Sequence, residues 1–448
     1  MTKYEEILNY ISTKYIANEA YQFRKLPSIR QLSTTLHCSH NSVIRAYSEL
    51  EQQHIIFSIP QSGFYILHEP NSFVEKNNMI NLVKSNPDAS VLPYREFEHC
   101  INLAVDTYKE ALFLYPKAKG FPPLCKTLKA LLLNRQVYVE ENQICITNGV
   151  QQAIGLLFSL KPDATKDTLI LETPGYPLAK ELAIQNNWKI EFVSRNHKGI
   201  DLKALQSYFA TGHVQYFYLM PRFHNPTGSS LSDRQKKRII ELAQKYDVYL
   251  IEDDYLAELD PIHNRLPLHY YDTNNKVIYL TGFSKSFMPG LRIGASCIPP
   301  MLLDQFIYSR YIEDIGTSTF LQGALNLYIQ NGMYQRHCKK IVQVYRKKMQ
   351  ICQTYYKKYK DKISATLIVP ESGYYLLITL PCSNFSSSHQ VDYLVENLKT
   401  KGVLVSSGNR YFFENIKVPS ICLSISNCTI DQLKEALTII FEELCQYH

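Results

Sequence analysis

The run from Tyr279 to Gly294, Tyr-Leu-Thr-Gly-Phe-Ser-Lys-Ser-Phe-Met-Pro-Gly-Leu-Arg-Ile-Gly, constrains this chain more than any other. Val277, Ile278, Tyr279 and Leu280 are apolar without alternation, the pattern of a short buried strand. The strand stops at Gly282 and delivers Lys285 into a loop, and Pro289-Gly290 turns the chain into a second apolar run, Ile293 to Ile298. A lysine at the mouth of a buried strand is partly desolvated. That disfavours the ammonium and brings a nucleophilic, Schiff-base-forming amine within reach of neutral pH. Arg292 follows closely and offers a fixed charge suited to a phosphate.

The chain's 448 residues suffice for two or three domains around a large core. With 45% hydrophobic and 20% charged residues, it fits no disordered, fibrous or membrane class. No apolar run approaches the ~18 residues of a membrane span, and Met1-Thr2-Lys3-Tyr4-Glu5-Glu6 carries no signal-peptide core. A soluble cytoplasmic protein is expected. The eleven cysteines include no C-x-x-C pair and no histidine cluster at zinc spacing. Cys145, Cys297 and Cys422 sit in apolar runs and read as reduced core residues, with neither disulfides nor a metal expected. A net charge of +7 permits a nucleic-acid partner without demanding one.

Taken in order, Tyr4, Ile7, Leu8, Ile11 and Tyr15 mark one face of a first helix. Leu26-Pro27-Ser28 opens a second, carried by Ile29, Leu32 and Leu36. Ser39 is the expected N-cap of a third, whose inner face is Val43, Tyr47 and Leu50. Ile55–Ile59 and Phe64–Leu67 flank Pro60-Gln61-Ser62-Gly63 as a β-hairpin. Two short helices joined by a tight turn, followed by a hairpin, form a winged helix-turn-helix.

Residues 26–66 resemble the winged helix of GntR-type transcription regulators. The resemblance implies contacts to double-stranded DNA from Arg30, from Ser39, His40, Asn41 and Ser42, from Arg45, and from the wing tip at Gly63. Arg30, the helix-start amides and the wing suit phosphates, whereas His40 and Asn41 could reach base edges. That family usually carries Arg where this chain has His40, so affinity or base preference should differ. Residues 1–68 hold six Lys and Arg against five Asp and Glu, so the expected reader has little bulk charge.

Residues 69–79 are polar and aperiodic and read as a linker, with a root-mean-square reach of roughly 20 Å. From residue 80 strands and helices alternate, as in an α/β domain with a mainly parallel sheet. Gln143–Gly149 is a strand entering a glycine turn, and Val150-Gln151 opens a helix whose amides form an anion site. Thr168–Glu172 leads to Thr-Pro-Gly-Tyr176-Pro, Val214–Leu219 leads to Asn225-Pro-Thr-Gly, and Val248–Asp253 leads to Asp254-Tyr255. All these turns fall where open α/β sheets bind ligands, at the ends of successive strands.

Together with Lys285, these turns resemble the class I aminotransferases, fold-type I enzymes that use pyridoxal 5'-phosphate. The resemblance implies that Lys285 forms the internal aldimine and Tyr176 stacks on the pyridine ring. Asn225 and Tyr255 would then serve the phenolic oxygen, while Asp253, in preference to Asp254, pairs with the ring nitrogen. Val150, Gln151, Ser284 and Arg292 would hold the phosphate, with Tyr115 supplied across a subunit interface. Two departures stand out. Gly282 replaces the usual Ser or Thr three residues before the lysine. Cys422, in Ile421-Cys422-Leu423, replaces the Arg that grips the substrate carboxylate, which puts ordinary transamination in doubt and leaves Arg222 or Arg410 as candidate substitutes.

Between 336 and 362 the chain carries ten Lys and Arg against Asp361 alone, with Ile341, Val344, Tyr345 and Met349 at helical spacing. This is expected to be the solvated face of a long helix, with a second DNA contact through residues such as Lys347 and Lys348 as the sharper alternative. A smaller α+β lobe is expected from about 363.

Over its full length the chain resembles the MocR/GabR type of GntR regulator. The implied protein is an α/β homodimer with a winged helix at 1–68 and an aminotransferase-like domain at 80–448. It would regulate transcription by sensing a small amine or amino-acid effector through the cofactor on Lys285. The alternatives are an active class I/II aminotransferase with an incidental N-terminal domain, or a pure pyridoxal phosphate sensor controlling vitamin B6 metabolism.

Overall fold

A computed structural model describes residues 3–16, 25–67, 79–260, 265–385, 387–413 and 418–447. Two compact units divide the chain, Met1–Asn77 and Asn78–His448. Apart from Met79, the expected linker lies outside the described residues.

In the first unit, α1 (Lys3–Ile11) runs into a π-helical turn, Ser12–Ile16, which takes Tyr15 out of the regular first helix. Next come α2 (Ile29–Thr35) and α3 (His40–Gln52). Ser28 caps α2 in a reciprocal box with Gln31, and the Ser39 hydroxyl accepts from the Ser42 amide at 3.2 Å to start α3. Both caps satisfy amides that the first helical turn would otherwise leave unpaired. Strands β1 (Ile56–Ile59) and β2 (Gly63–Ile66) pair antiparallel from Ile56↔Ile66 to Ile59↔Gly63. Ile7, Ile11, Leu32, Val43, Tyr47, Ile56 and Ile66 form one core, and the Tyr47 hydroxyl donates to the Pro27 carbonyl at 2.6 Å.

The second unit opens with β3 (Ile80–Asn81). Its large sheet holds β4 (Ile144–Thr147), β5 (Thr168–Thr173), β6 (Lys189–Asn196), β7 (Gly199–Ile200), β8 (Val214–Leu219), β9 (Tyr249–Asp253), β10 (Val277–Gly282) and β11 (Gly294–Cys297). Their spatial order is β4-β11-β10-β9-β8-β5-β6-β7. The five central strands are parallel, and β11 runs against both its neighbours. Every residue of β5, β8 and β10 is buried, as a parallel sheet covered by helices on both faces requires. Chain direction therefore brings the C-terminal ends of β4, β5, β8, β9 and β10 to one edge.

The small lobe holds an antiparallel sheet in the order β12 (Thr366–Leu367), β13 (Tyr375–Thr379), β16 (Ser420–Ser424) and β15 (Ser406–Ser407). The entry segment belongs with it, because β3 pairs in parallel with β14 (Val403–Leu404). The helix Met333–Tyr359 connects the large domain to this lobe. One of its cations corrects the expectation of a wholly solvated basic face. Lys348 is fully buried, 2.9 Å from Asp88 Oδ2, and it donates to the carbonyls of Ile425 and Ser426 at 3.2 Å each.

Candidate functional site

At the common strand edge lies a cavity of about 440 Å³. Val150, Gln151, Tyr176, Asn225, Asp253, Tyr255, Ser284, Lys285, Arg292 and Arg410 all line it. Residues from five strand-end turns, up to 142 positions apart, thus meet in one volume because the parallel sheet aligns the turns that carry them, and Arg410 joins them from the small lobe.

Lys285 follows β10, and its ammonium donates to the Ser85 carbonyl at 3.1 Å and to the Ser85 hydroxyl. The Tyr374 hydroxyl holds the Lys285 carbonyl from the other side. Burial, reinforced by the Arg292 charge and opposed by Asp253, brings the amine down to about 8. At pH 7 roughly a tenth of such an amine is neutral, against well under a thousandth for a solvated lysine.

Asp253 ends β9 and is 4% exposed. Its Oδ2 accepts from the Tyr218 hydroxyl at 2.6 Å, while Oδ1 finds no partner among the described residues. Burial pushes this carboxyl up to about 7 against the opposing Tyr218 bond, and the neighbouring Asp254 adds to the rise. The two adjacent acids have different tasks. Asp254 turns away from the cavity to bind Arg222 and the Tyr279 hydroxyl.

That geometry corrects Arg222 as an effector-binding candidate. Its Nε donates to Asp254 Oδ1 at 2.9 Å, its Nη2 to Oδ2, and its Nη1 to the Arg265 carbonyl at 2.7 Å. The guanidinium is buried and does not line the cavity. Arg410 does line it, over the Tyr411 ring at 5.5 Å. Cys422 lies 2% exposed in the middle of β16, and burial raises its thiol to about 12, so it stays neutral.

The anion end is built from backbone. Gly149 caps the helix Val150–Ser159 at φ 80°. A Cβ on it would fall 2.9 Å from Arg292 Nη2, so only glycine lets the guanidinium lie over the helix start. Arg292 sits in the left-handed region (φ 50°, ψ 41°) and donates from Nη2 to the Asn148 carbonyl at 3.0 Å. A non-glycine residue held there costs roughly 1 kcal/mol or more, a strain found at ligand clamps. The departure at Gly282 also has a steric reason. A side chain there would meet Val150 Cγ2 at 3.0 Å.

Tyr255 donates its hydroxyl to the Phe223 carbonyl at 2.7 Å, and so spends its proton on the Asn225 turn rather than on the cavity. Asn225 itself is 7% exposed with Oδ1 unpartnered. Beneath this turn, buried Glu172 accepts from the Met220 amide at 2.7 Å and from Arg195 Nη1 at 3.3 Å. Tyr115 is 88% exposed and lies outside the cavity of its own chain. Sequence reasoning missed Ser85, Tyr218 and Tyr374, and Tyr375, which also lines the cavity. No local pattern marks them, since Ser85 reaches Lys285 from 200 positions away.

On the first unit, Arg30, Ser39, His40, Asn41 and Arg45 are exposed, while Ser42 and Gly63 are half-buried. Ser39 and Ser42 bond each other at 2.9 Å in capping α3, so their hydroxyls define the helix start. The Arg45 guanidinium lies over the Tyr4 ring at 5.0 Å. Lys25, not anticipated, runs beside the wing, with its Cε 3.1 Å from where a Gly63 Cβ would stand.

The unpartnered Oδ1 of Asp253, the Asn225 side-chain amide on the same cavity, the lowered amine and the glycine cradle under Arg292 fit a phosphorylated, ring-bearing aldehyde. Fold and cavity together define an aminotransferase-type domain that follows a winged helix. Residues 77–440 match the family "Aminotransferase class I and II", and residues 3–66 match "Bacterial regulatory proteins, gntR family". The HTH-type transcriptional regulator YcxD of Bacillus subtilis is 36% identical, over 99% of this chain and 100% of its own. The HTH-type transcriptional regulator YjiR of Escherichia coli is 24% identical, over 85% and 87%. The fold is that of Pyrococcus horikoshii kynurenine aminotransferase, solved with PMP (TM-score 0.76, 23% identity, 83% and 92% covered). The chain belongs to the GntR-type transcriptional regulators that carry an aminotransferase class I and II domain, the MocR type. Among the described residues no helix is long and apolar enough to cross a membrane.

Proposed function

We propose that this cytoplasmic regulator reads double-stranded DNA with its winged helix and senses a small amine or amino acid at a pyridoxal 5'-phosphate site centred on Lys285. The observation that carries the reading is the convergence of Lys285, Asp253, Asn225, Tyr176 and Arg292 on one cavity. Bound there, the cofactor supplies an aldehyde carbon for the lysine amine and a ring that withdraws electrons.

The residues divide the work. Arg292, Ser284 and the amides of Val150 and Gln151 bind the phosphate. Tyr176 covers the ring and excludes water, and Asn225 orients it through its phenolic oxygen. Asp253, with one oxygen already occupied by Tyr218, would offer its free oxygen to the ring nitrogen. A cation placed there would return the carboxyl to its ionised form. Ser85 holds the amine in place, and the lowered proton affinity of Lys285 keeps a fraction of it neutral and nucleophilic at neutral pH. Arg410 is the cavity cation left for an effector carboxylate, because Cys422 is neutral and buried.

Two such chains form a homodimer in this reading. Phe113, Leu114 and Tyr115 are 71%, 69% and 88% exposed, an apolar run that a second subunit would cover. The contacts expected from Arg30, His40, Asn41, Arg45 and Gly63 then fall on two half-sites. An effector shifts the DNA-bound arrangement only by its differential affinity for the two states.

The test is borohydride reduction of the cofactor-loaded protein followed by peptide mapping. The label is expected on Lys285 and absent from Lys285→Ala. A label that persists in the variant refutes the site.

A further inference from the structure

The helix Met333–Tyr359 contains no acidic residue in its 27 positions. Arg336, Lys340, Lys347 and Lys358 fall within about 40° of one another on the helical wheel. Lys339, Arg346 and Lys357 form a second row beside them. Gln343, Gln350 and Thr354 fill the space between, and all ten of these side chains are exposed. The opposite face, with Tyr334, Ile341, Tyr345, Met349 and Cys352, is the buried one. None of the seven exposed cations makes an ion pair among the described residues. Glu371, which shares a shallow pocket with Arg346, is bound to Arg265 at 2.6 Å.

Several other exposed helices set a cation beside an acid one turn away. Arg95 pairs with Glu98, Arg238 with Glu241, Lys399 with Glu396 and Lys434 with Asp431. A merely solvated face gains from such pairs and loses from like charges one turn apart. Seven unpaired cations along one helix are a cost that a polyanion removes.

We infer that this face is a second contact for the phosphates of duplex DNA, additional to the winged helix. It rests on the DNA-reading function proposed above and goes beyond it. From Arg336 to Lys358 the stripe extends about 33 Å, close to one turn of B-form DNA at about 34 Å. The winged helix carries almost no net charge, six cations against five anions over residues 1–68. Counterion release, the main source of sequence-independent affinity, grows with each phosphate neutralised, so cations elsewhere in the chain would add to it.

The experiment compares the full-length protein with the quadruple variant Arg346→Gln, Lys347→Gln, Lys357→Gln and Lys358→Gln. Binding is measured across a salt series to two duplexes of equal length, one from upstream of the protein's own gene and one of random sequence. The variant should flatten the log-affinity against log-salt slope by about three to four. The ratio between the two duplexes should stay the same, since phosphate contacts carry no sequence information. An unchanged thermal midpoint would show that the fold survives. If the original protein binds DNA and the variant keeps its slope, this inference is wrong while the DNA-reading function stands. Failure of the original protein to bind either duplex overturns both. Loss of binding to phosphatidylglycerol vesicles with an unchanged DNA slope assigns the face to a membrane surface and also overturns it.

Discussion

Replacing Lys348 with Met tests whether a buried ion pair organises the cavity from behind. Lys348 has no exposure, and its ammonium meets Asp88 Oδ2 at 2.9 Å. Removing one partner of a buried pair costs roughly 3–5 kcal/mol, because the other charge is left without compensation. Asp88 keeps bonds from the Ser90 amide at 2.9 Å and the Ser90 hydroxyl at 2.7 Å, so the lower end, about 3 kcal/mol, is expected. That is roughly a hundredfold in the folded-to-unfolded ratio. Trp188 is the only tryptophan and donates to the Phe158 carbonyl at 2.7 Å inside the second unit, so its fluorescence in urea reports that unit alone. Burial alone would raise the Asp88 carboxyl, yet the Ser90 amide, Lys348 and the Ser90 hydroxyl hold it below its usual range. Its folded pKa is depressed, so the stabilisation is present above the unfolded value and is lost as pH falls through the folded one. The gap between Lys348→Met and the unaltered protein should therefore shrink in acid. The segment anchored by Asp88 also carries Ser85, so the variant should bind pyridoxal phosphate more weakly. A loss below about 1 kcal/mol at pH 7, or a double-mutant cycle with Asp88→Asn showing no coupling, would refute the reasoning.

Arg222→Gln should destabilise the second unit by about 3 kcal/mol, because it strands the Asp254 carboxylate in the core. Effector affinity measured on the surviving folded protein should not change, and a selective loss of effector binding would return Arg222 to the site. Asp253→Asn bears on pH. Its folded pKa of about 7 lies above the unfolded value, so the cofactor-free protein loses stability as pH rises from about 4 to 7. Thermal midpoints of the cofactor-free variant should flatten over that window, and an unaltered pH profile would show that the carboxyl is not desolvated.

The local features of this fold were legible because short-range chemistry dictates them. Ser39 begins α3 by accepting from an amide three positions on, and β10 is buried because no polar residue interrupts Val277–Leu280. Gly149 stands where the chain must take a positive φ, and Asp253 ends a strand while Asn225 and Lys285 lie in the turns that follow theirs, all on strands whose direction a parallel sheet makes common. The strand boundaries in the large sheet shifted by only a residue or two, whereas the first regular helix ends at Ile11, four residues short of Tyr15.

What the tertiary structure alone decided is where charged side chains end up, because their partners are distant in sequence and burial is a property of the whole fold. Arg222 and Arg410 were equal candidates on paper. Asp254 and the Arg265 carbonyl consume the first, while the second faces the cavity. Lys347 and Lys348 are adjacent in a basic run, yet one is solvent-exposed and the other is locked to Asp88, 260 positions away. Ser85 reaches Lys285 only because β3 joins the small lobe, a pairing between residues with no common local pattern. Sequence determined which groups the strand ends present, and packing determined which of them remain free to act.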